Sequence, residues 1–393
     1  MKSEWTYRPL GELVSFASGG TPSKKRDDYW GGTIPWISAK TLKTENIDTS
    51  DLFITEEGLK AGSKIAPKGS ILLLTRGSGL FNGIPIARVE KDVAFNQDIK
   101  CLDSYGEVEN EFIFYWLLSQ KDYLMAKVGV TGIGAGKFDL DFLQKLMIPI
   151  PSERERKSIV GFASSISEKI RCNAKVNDNL YAQVKAIFSE NFLDLDFLPD
   201  GWKTGNLLDI ADYLNGLAMQ KYRPKDGETG LPVLKIKELR QGICDASSEL
   251  CSPSIKSEYI IHDGDIIFSW SGSLLVDIWC GGTCGLNQHL FKVTSNNYDK
   301  WFYYLWTAHH LDRFIAVAAD KATTMGHIKR EELEKVEVII PSKCDYKRIG
   351  ALIKPLFDLI ISNRIEDRKL TALRNTLLPK IMSREIDVCD IQL

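Results

Sequence analysis

The feature that most constrains this chain is an internal repeat, because a sequence that passes twice through one pattern is expected to fold into two similar modules. Matched residues lie 189 to 197 positions apart, and they pair Trp5 with Trp202, Gly19 with Gly216, Lys24 with Lys221, Arg26 with Arg223, Pro35 with Pro232, Asn96 with Asn287, Phe112 with Trp301, and Pro151 with Pro341. The separation shrinks along the chain, as loop insertions would cause. A period of this length predicts two whole modules and excludes a solenoid of short repeats.

Each module opens with short apolar runs that are separated by glycine, proline, asparagine and aspartate. The runs at Gly69–Thr75 and Gly264–Trp270 are typical of buried strands. An aromatic helix and a last strand close each module, at Glu111–Gln120 and Leu146–Ile150 in the first copy and at Lys300–His309 and Val336–Ile340 in the second. The pattern predicts a mixed α+β fold.

A long helix with a heptad repeat ends each module. The repeated positions are Ile159, Ile166, Asn173, Leu180 and Ile187 in the first copy and Ile349, Leu356, Asn363, Leu370 and Leu377 in the second. The intervening row is expected to contain Phe162, Val176 and Val184, and in the second copy Leu352, Leu359 and Leu373. About five heptads predict helices of roughly 35–40 residues that pair as an antiparallel coiled coil, with ordinary bundle helices as the alternative.

Asn173 and Asn363 lie near the midpoints of the two predicted helices. An antiparallel pairing would bring them close together, where a polar pair in an apolar seam would fix the register of the coil. The alternative is that each asparagine faces solvent. The resulting architecture has approximate two-fold symmetry, and its predicted domains are residues 1–151 (first globular module), 152–198 (first long helix), 199–341 (second globular module) and 342–393 (second long helix).

The balance of charge limits how the chain could bind nucleic acid. Its 393 residues carry 50 Lys and Arg against 52 Asp and Glu, so any DNA contact would depend on local basic loops. No apolar run approaches the ~18 residues of a membrane span, and no apolar segment follows Met1. We therefore expect no membrane partner, a cytoplasmic location and eight reduced cysteines.

Three motifs in the first module carry a family resemblance. Gly19-Gly20-Thr21-Pro22-Ser23-Lys24, Tyr29-Trp30-Gly31-Gly32 and Ile34-Pro35-Trp36-Ile37 resemble the opening of a target-recognition domain in the specificity subunit of type I restriction–modification systems. The dipeptide Asn96-Gln97 and the Pro151 exit into a long helix are similar to the same family. Where the family often has a Glu-Gln pair after this proline, the chain has Glu155-Arg156 and Asp345-Tyr346.

The resemblance implies a non-catalytic, sequence-specific DNA-binding subunit. Each target-recognition domain would read one part of a bipartite target in double-stranded DNA, and the helices would set the gap between the parts. The subunit would hold two methyltransferase subunits and, in the larger complex, restriction/translocase subunits. S-adenosylmethionine, ATP and Mg²⁺ would belong to these partners, and this chain itself would need no cofactor.

The first candidate DNA contacts are basic loops that occupy the same place in both modules. They comprise Lys24, Lys25 and Arg26 in the first copy and Lys221, Tyr222, Arg223 and Lys225 in the second. A basic loop flanked by aromatic residues suits phosphate contact and base approach. A solvated charged loop is the alternative.

Further candidates lie at strand ends and in one matched loop. Arg76 follows a strand, and arginine is the usual bidentate reader of guanine. Lys137 ends a glycine-rich turn and would reach a phosphate, and Thr323 and His327 lie in the matching loop of the second copy. Asn96-Gln97 and Asn287-Gln288 are expected either to stabilise turns or to read adenine.

Signatures of catalysis and metal binding are weak. Gly132–Lys137 departs from a P-loop because Thr131 and Phe138 replace the required Gly and Ser/Thr. The spacing of Cys244, Cys251, Cys280 and Cys284 favours buried thiols over zinc, so no metal site is expected. Two alternatives to DNA recognition stay open, namely a stand-alone methyltransferase or nuclease with unrecognised motifs and a coiled-coil scaffold that binds only protein.

Overall fold

The structure, a computed structural model, describes residues 5–132, 134–320 and 327–388. The chain divides into two compact units. Unit 1 comprises Met1–Glu168 with Thr371–Leu393, and unit 2 comprises Lys169–Leu370. Each unit combines one globular module with a segment of both long helices.

Unit 1 is built from short strands and short helices. Its strands are β1 (Thr6–Pro9), β2 (Val14–Ser18), β3 (Trp30–Ile37), β4 (Asn46–Ile47), β5 (Phe53–Ile54), β6 (Lys64–Ala66), β7 (Ile71–Leu74), β8 (Arg76–Gly77), β9 (Ile86–Val89), β10 (Val93–Phe95), β11 (Ile99–Ser104), β12 (Gly129–Val130), β13 (Gly136–Lys137) and β14 (Met147–Ile150). Its helices are α1 (Leu10–Leu13), α2 (Glu56–Gly62), α3 (Asn110–Ser119), α4 (Lys121–Met125) and α5 (Leu140–Gln144), and the long helix α6 (Glu153–Phe188) follows.

Unit 2 repeats this plan. Its strands are β15 (Lys203–Asn206), β16 (Asp212–Asn215), β17 (Leu231–Leu234), β18 (Leu250–Cys251), β19 (Ile260–Ile261), β20 (Asp265–Ser269), β21 (Leu275–Trp279), β22 (Cys284–Leu286), β23 (Leu290–Thr294) and β24 (Glu337–Ile340). Its helices are α7 (Leu207–Ile210), α8 (Ile236–Gln241), α9 (Lys300–His309), α10 (Leu311–Asp320) and α11 (Arg330–Glu334), and the long helix α12 (Lys343–Met382) follows.

The two modules share their sheet topology. The order β5-β3-β10-β6 in unit 1 corresponds to β18-β17-β22-β19 in unit 2, and the central pair of each sheet is parallel. The order β2-β11-β7-β9 corresponds to β16-β23-β20-β21, and antiparallel ribbons β1-β14 and β15-β24 precede the long helices. The aromatic helices α3 and α9 are buried almost throughout. The predicted mixed α+β fold with two similar modules is therefore confirmed.

A repeated tryptophan caps the start of each long helix. Trp5 Nε1 donates to Glu155 Oε1 at 3.2 Å, and Trp202 Nε1 donates to Asp345 Oδ2 at 2.9 Å. Each carboxylate also accepts a hydrogen bond from the serine three residues before it, at 2.6 and 2.7 Å. This arrangement satisfies part of the helix N-terminus and ties the first strand of the module to its helix.

The two long helices run in opposite directions within each unit. In unit 2, Asn173 lies opposite Asp367 and Asn177 lies opposite Asn363. In unit 1, Arg374 of α12 donates to Ser167 Oγ of α6 at 2.8 Å, and Ile381, further along α12, lines one cavity with Ile159, which is earlier in α6. The antiparallel pairing that the heptads predict is therefore present in both units.

Each seam asparagine forms its hydrogen bonds with residues of the opposite helix other than its counterpart. Asn173 is 4% exposed, and its amide donates to Glu366 Oε2 and Asp367 Oδ1, both at 2.7 Å. Asn363 donates to Asn177 Oδ1 at 2.9 Å. The midpoints of the two long helices are thus joined by a polar layer that lies within unit 2. In this layer Asn173 bonds residues one turn away from Asn363, and Asn363 bonds a residue one turn away from Asn173.

The predicted intervening row of the second helix is wrong. Leu352, Leu359 and Leu373 are 51%, 45% and 44% exposed. The buried row of α12 in unit 2 instead contains Ile349, Ile353, Phe357 and Ile360. These side chains join a core with α9 and with Leu180, Val184 and Phe188 of α6, so α12 packs against the globular module as well as against α6. In the first helix Val176 is likewise exposed, at 39%.

Arginines of α12 attach the helix to both globular modules. Within unit 2, Arg364 forms paired bonds of 2.8 Å with Asp277, and Arg368 binds Asp263 at 2.7 and 2.8 Å. Within unit 1, the guanidinium of Arg374 binds Glu45 at 2.6 and 2.8 Å and its side chain is 4% exposed. Burial raises the pKa of Glu45, but the hydrogen bonds from Arg374 and the charge of Lys121 outweigh it and the pKa ends below its ordinary value.

Among the described residues, no helix is both long enough and apolar enough to cross a membrane.

Replacing Arg374 with methionine is expected to destabilise unit 1 by about 2 kcal/mol at pH 7, less than the ~3–5 kcal/mol of a fully buried pair because Glu45 is partly exposed. The depressed pKa of Glu45 adds stability that is present above the unfolded pKa of ~4.3 and is lost as pH falls through the folded pKa. The difference between wild type and variant should therefore shrink below about pH 4.5. Urea unfolding at several pH values measures it. The control is Arg154→Met at an exposed position of α6; an equal loss in both variants would contradict the assignment.

Replacing Asn173 with leucine should destabilise unit 2 by about 2 kcal/mol at pH 7, because two carboxylates lose their amide donor. Burial raises the pKa of Asp367 above its ordinary value, although the hydrogen bond from Asn173 acts to lower it. Ionisation of Asp367 therefore reduces the free energy of unfolding as pH rises through this raised pKa. The penalty should thus be smaller at pH 4 than at pH 7, and Asp367→Asn should relieve it at pH 7. Asn179→Leu, at an exposed position of the same helix, is the control. A penalty independent of pH would refute the role of Asp367.

Candidate nucleic-acid interface

Close backbone contacts fix the glycine turn that leads into each basic loop. A Cβ atom on Gly19 would lie 2.0 Å from the carbonyl oxygen of Phe95, and one on Gly216 would lie 2.2 Å from that of Asn287. No side chain fits at either position, which explains why glycine is repeated there. The two basic loops therefore leave equivalent points of the two modules.

The repeated Asn-Gln dipeptides stabilise the turns against which these glycines pack. Asn96 Oδ1 accepts from the backbone N–H of Asp98 at 3.2 Å, and Asn287 Oδ1 accepts from that of His289 at 3.3 Å. Gln97 accepts from the hydroxyl of Thr21 at 2.7 Å. The asparagines are buried, so their geometry fits the turn-stabilising interpretation rather than adenine reading.

The basic loop of unit 1 divides its charges between two roles. Lys24 and Lys25 are exposed, and neither ammonium forms an ion pair or hydrogen bond with a described residue. Arg26 instead forms a bidentate pair with Asp28 at 2.7 and 2.8 Å and lies over the ring of Tyr29 at 4.8 Å. The hydrogen bonds from Arg26 lower the pKa of Asp28 and keep the pair ionised.

The basic loop of unit 2 has the same division. Lys221 and Lys225 are exposed and their ammonium groups have no ion pair within the described chain. Arg223 is bound to Glu249 at 3.0 Å and donates to the carbonyl oxygen of Leu250. Tyr222, 41% exposed, follows a 3₁₀ turn over Met219–Lys221. In both loops the lysines are thus available to an anion while the arginine is held by a neighbouring carboxylate.

Arg76 and Lys137 are brought together in a small sheet of unit 1. We call the strands β12, β13 and β8 the cationic sheet, since Lys137 of β13 lies directly opposite Arg76 of β8 in antiparallel register. Both residues are exposed, and neither side chain pairs with a carboxylate of the described residues. The sequence placed these residues in separate motifs and gave no sign that they are neighbours.

Unit 2 has an equivalent position with different chemistry. Ser271 and His327 form an isolated antiparallel bridge. Ser271 is buried and its hydroxyl bonds His289 Nδ1 at 3.0 Å, while the ring of His327 meets Trp270 edge-on at 6.3 Å. The predicted contact Thr323 lies outside the described residues.

Two exposed apolar residues, one in the turn that follows β8 and one in β12 of the cationic sheet, were missed by sequence reasoning. Phe81, 44% exposed, belongs to a 3₁₀ turn over Ser78–Asn82, and Val130 of β12 is 69% exposed. Isolated apolar residues in loops carry no periodic signal, so only their exposure identifies them.

The cysteines of the second module lie in apolar surroundings. Cys251, Cys280 and Cys284 are buried, and a hydrogen bond with Cys244 together with burial raises the pKa of the Cys284 thiol. Within the described residues, no group of three or more His, Cys, Asp or Glu side chains has a geometry suited to a metal ion.

Comparison with known proteins gives a consistent result. The model of the type I restriction modification DNA specificity domain matches residues 2–182 and 199–371. The chain is 27% identical to the type I restriction enzyme MjaIX specificity subunit of Methanocaldococcus jannaschii, over 98% of this chain and 94% of that protein. It is 31% identical to the EcoR124I/EcoR124II specificity subunit of Escherichia coli, over 40% of each chain.

A solved structure shows the same fold. The S subunit of a type I restriction–modification system from M. genitalium superposes with a TM-score of 0.57, covers 96% of both chains and is 16% identical. The family model matches the chain twice, and the two matches together cover most of the sequence. This agrees with the duplicated sheet topology and the paired long helices. The chain therefore belongs to the type I restriction modification DNA specificity domain family.

Proposed function

We propose that this protein is the non-catalytic subunit that gives a type I restriction–modification complex its DNA sequence specificity. Residues 1–151 form one target-recognition domain and residues 199–341 form the other, so that each reads one part of a bipartite target. The observation that carries the proposal is that two modules of the same topology present unpaired lysines at equivalent loops, Lys24 and Lys25 in unit 1 and Lys221 and Lys225 in unit 2.

These lysines suit contact with the phosphate backbone. An exposed ammonium group without a carboxylate partner can replace a condensed counterion on DNA, and this release makes binding sensitive to salt. Such contacts position a protein on the duplex and carry no sequence information. Tyr222, Thr323 and His327 are further proposed DNA contacts of the second domain. Base recognition would depend on residues that differ between the two domains.

The long helices support a role in setting the gap between the two parts of the target. Helix α6 has 36 residues and α12 has 40. At 1.5 Å per residue these lengths are about 54 and 60 Å, or between one and two turns of B-DNA. The polar layer around Asn173 and Asn363 supports a registry role, because a shift of the helices would leave its amides and carboxylates without partners.

The partners proposed for this subunit are double-stranded DNA, two methyltransferase subunits and restriction/translocase subunits. Leu352 and Leu359 project from α12 one heptad apart and are about half exposed, which suits packing against a helix of a partner. S-adenosylmethionine, ATP and Mg²⁺ would be bound by the partners. The complex would work in the cytoplasm, where the DNA to be read is found.

Reversing charge at Lys24 and Lys25 to glutamate should weaken duplex binding by the assembled complex roughly tenfold or more and reduce the slope of log affinity against log salt by about 2. The measurement is a salt titration of binding to a duplex that carries the target. The preferred sequence should stay the same, because phosphate contacts do not read bases.

Lys68→Glu with Lys91→Glu is the matched control. Both lysines are exposed. Lys68 lies in the turn before β7 and Lys91 in the turn after β9, and these turns meet at the end of β7 opposite to Arg76. If the control weakens binding as much as the loop variant, net charge rather than the loop is responsible and the assignment is wrong.

Inserting one heptad into each helix, after Glu168 and after Leu370, should lengthen the gap in the target by about 3 base pairs, since seven residues add ~10 Å. Both half-targets should be unchanged. Methylation sequencing of cells that carry the complete system gives the result. A heptad inserted after Glu168 alone should abolish specific methylation, and an unchanged gap in the double insertion would remove the spacing role.

A further inference from the structure

Two cysteines of the second module face each other. Cys244 lies in the turn after α8, and Cys284 is the first residue of β22. The two thiols form a hydrogen bond with each other, and both side chains pack in one apolar cluster with Trp279. Side chains that point towards each other meet a basic geometric requirement for a disulfide bond.

Backbone packing holds the segments that carry these two cysteines together. A Cβ atom on Gly281 would lie 2.8 Å from the carbonyl oxygen of Gly242, so the turn before β22 and the end of α8 meet without room for a side chain. Gly242 ends α8 in the left-handed region, with φ of +73°. Cys284 is fixed in the sheet by its pairing with Ile261. The folded backbone therefore brings the thiols together before any bond forms between them.

The neighbouring cysteines lie in other surroundings. A Cβ atom on Gly285 would lie 2.5 Å from Cys251 Sγ. Because successive residues of a strand point to opposite faces, Cys251 lies on the face of β22 that Cys284 does not use. Cys280 is buried in a different apolar cluster, and Cys172 and Cys344 are exposed. The meeting of Cys244 with Cys284 is thus specific to their place in the fold.

Cys244 has the properties of a reactive thiol. It is half-buried between the exposed residues Ile243 and Asp245, whereas Cys284 is buried, so a small oxidant reaches Cys244 first. The hydrogen bond from Cys284 lowers the pKa of Cys244, and this effect exceeds the opposing effects of burial and of the charges of Glu238 and Asp245. The thiolate is the nucleophilic form of cysteine. An accessible thiol of lowered pKa beside a second thiol is typical of cysteines that react reversibly with peroxides.

We propose that Cys244 and Cys284 form a site of oxidative modification, which a peroxide converts into a disulfide bond. The Cys244 thiolate attacks one peroxide oxygen, so that an S–O bond forms, the O–O bond breaks, and the second oxygen takes up a proton and leaves as water or an alcohol. The Cys284 sulfur then attacks the Cys244 sulfur. The S–S bond forms, the S–O bond breaks, and the hydroxyl leaves as water with the Cys284 proton. The two thiols lose two electrons in total, and the peroxide gains them.

The disulfide would join two segments that both support the basic loop of unit 2. The carbonyl oxygen of Leu286, in β22, accepts from the N–H of Leu217 at 2.9 Å, and Glu249, shortly after Cys244, binds Arg223. The bond would also close residues 244–284 into a covalent loop, which restricts the unfolded chain. The reaction depends only on the fold of unit 2 and is independent of the proposed function.

The test treats the full chain with hydrogen peroxide, blocks the remaining thiols with N-ethylmaleimide and maps peptides by mass spectrometry without a reductant. The expected product is a peptide pair joined through Cys244 and Cys284 with the loss of two hydrogens, which dithiothreitol separates. Cys244 should react at least roughly tenfold faster than Cys280. The midpoint of thermal unfolding should rise by about 5 °C on oxidation and fall back on reduction.

Two variants separate the roles of the thiols. Cys284→Ala removes the second thiol, so Cys244 should accumulate as a sulfenic acid that dimedone captures. Cys251→Ala is the matched control, because this buried thiol lies on the other face of β22 and its loss should leave the disulfide intact. Thermal unfolding of the reduced variants shows whether they fold, and the wild-type peptide map decides the proposal without them.

Several results would overturn the proposal. Oxidation of wild-type Cys244 to a sulfinic acid without a cross-link would show that Cys284 does not reach it. A bond between Cys284 and Cys251, or cross-links confined to the exposed Cys172 and Cys344, would assign the reaction to other thiols. A lower midpoint of thermal unfolding in the oxidised chain would show that the bond does not fit the native fold.

Discussion

The hydrogen bond from a tryptophan to the first turn of each long helix is the constraint on which this architecture depends. Trp5 with Glu155, and Trp202 with Asp345, join the first strand of a module to the helix that leaves it. The serine one turn earlier bonds the same carboxylate, so three parts of the chain meet at one group. Without this joint, the start of each long helix would not be tied to the first strand of its own module.

The attachments are not symmetrical although the modules are. Helix α12 binds carboxylates of the globular part through Arg374 in unit 1 and through Arg364 and Arg368 in unit 2. Helix α6 makes one such attachment, from Arg156 to Glu109 in unit 1. At the positions that match Arg364 and Arg368, α6 has Ala174 and Asp178, which cannot make these bonds. A duplicated sequence thus keeps its topology through the apolar core and the turn glycines, while the charged attachments differ between the copies.

Much of the fold could be predicted from the sequence because its signals are local or repeated. The strands at 71–74 and 265–269 and the aromatic helices follow from apolar runs, and the duplication confirms each element twice. The burial of α12 could not be predicted in the same way. Its heptads describe contact with one helix, but Ile353 and Phe357 also face the globular core, and a side chain between two partners follows no single period.

The candidate site shows a sharper limit, since charge alone does not say which residues are available to DNA. Arg26 and Arg223 match each other in the repeat and lie in the same loops as the exposed lysines. Unlike the lysines, each arginine is bound to a carboxylate outside the basic motif, Asp28 for Arg26 and Glu249 for Arg223. Arginine binds carboxylates in a bidentate fork, whereas lysine is a hydrated point charge that keeps its water more readily at a surface. In both loops a carboxylate therefore holds the arginine, while the lysines have no ion pair among the described residues. In unit 2 this division depends on a contact between distant parts of the chain, because Glu249 lies well beyond the loop that contains Arg223.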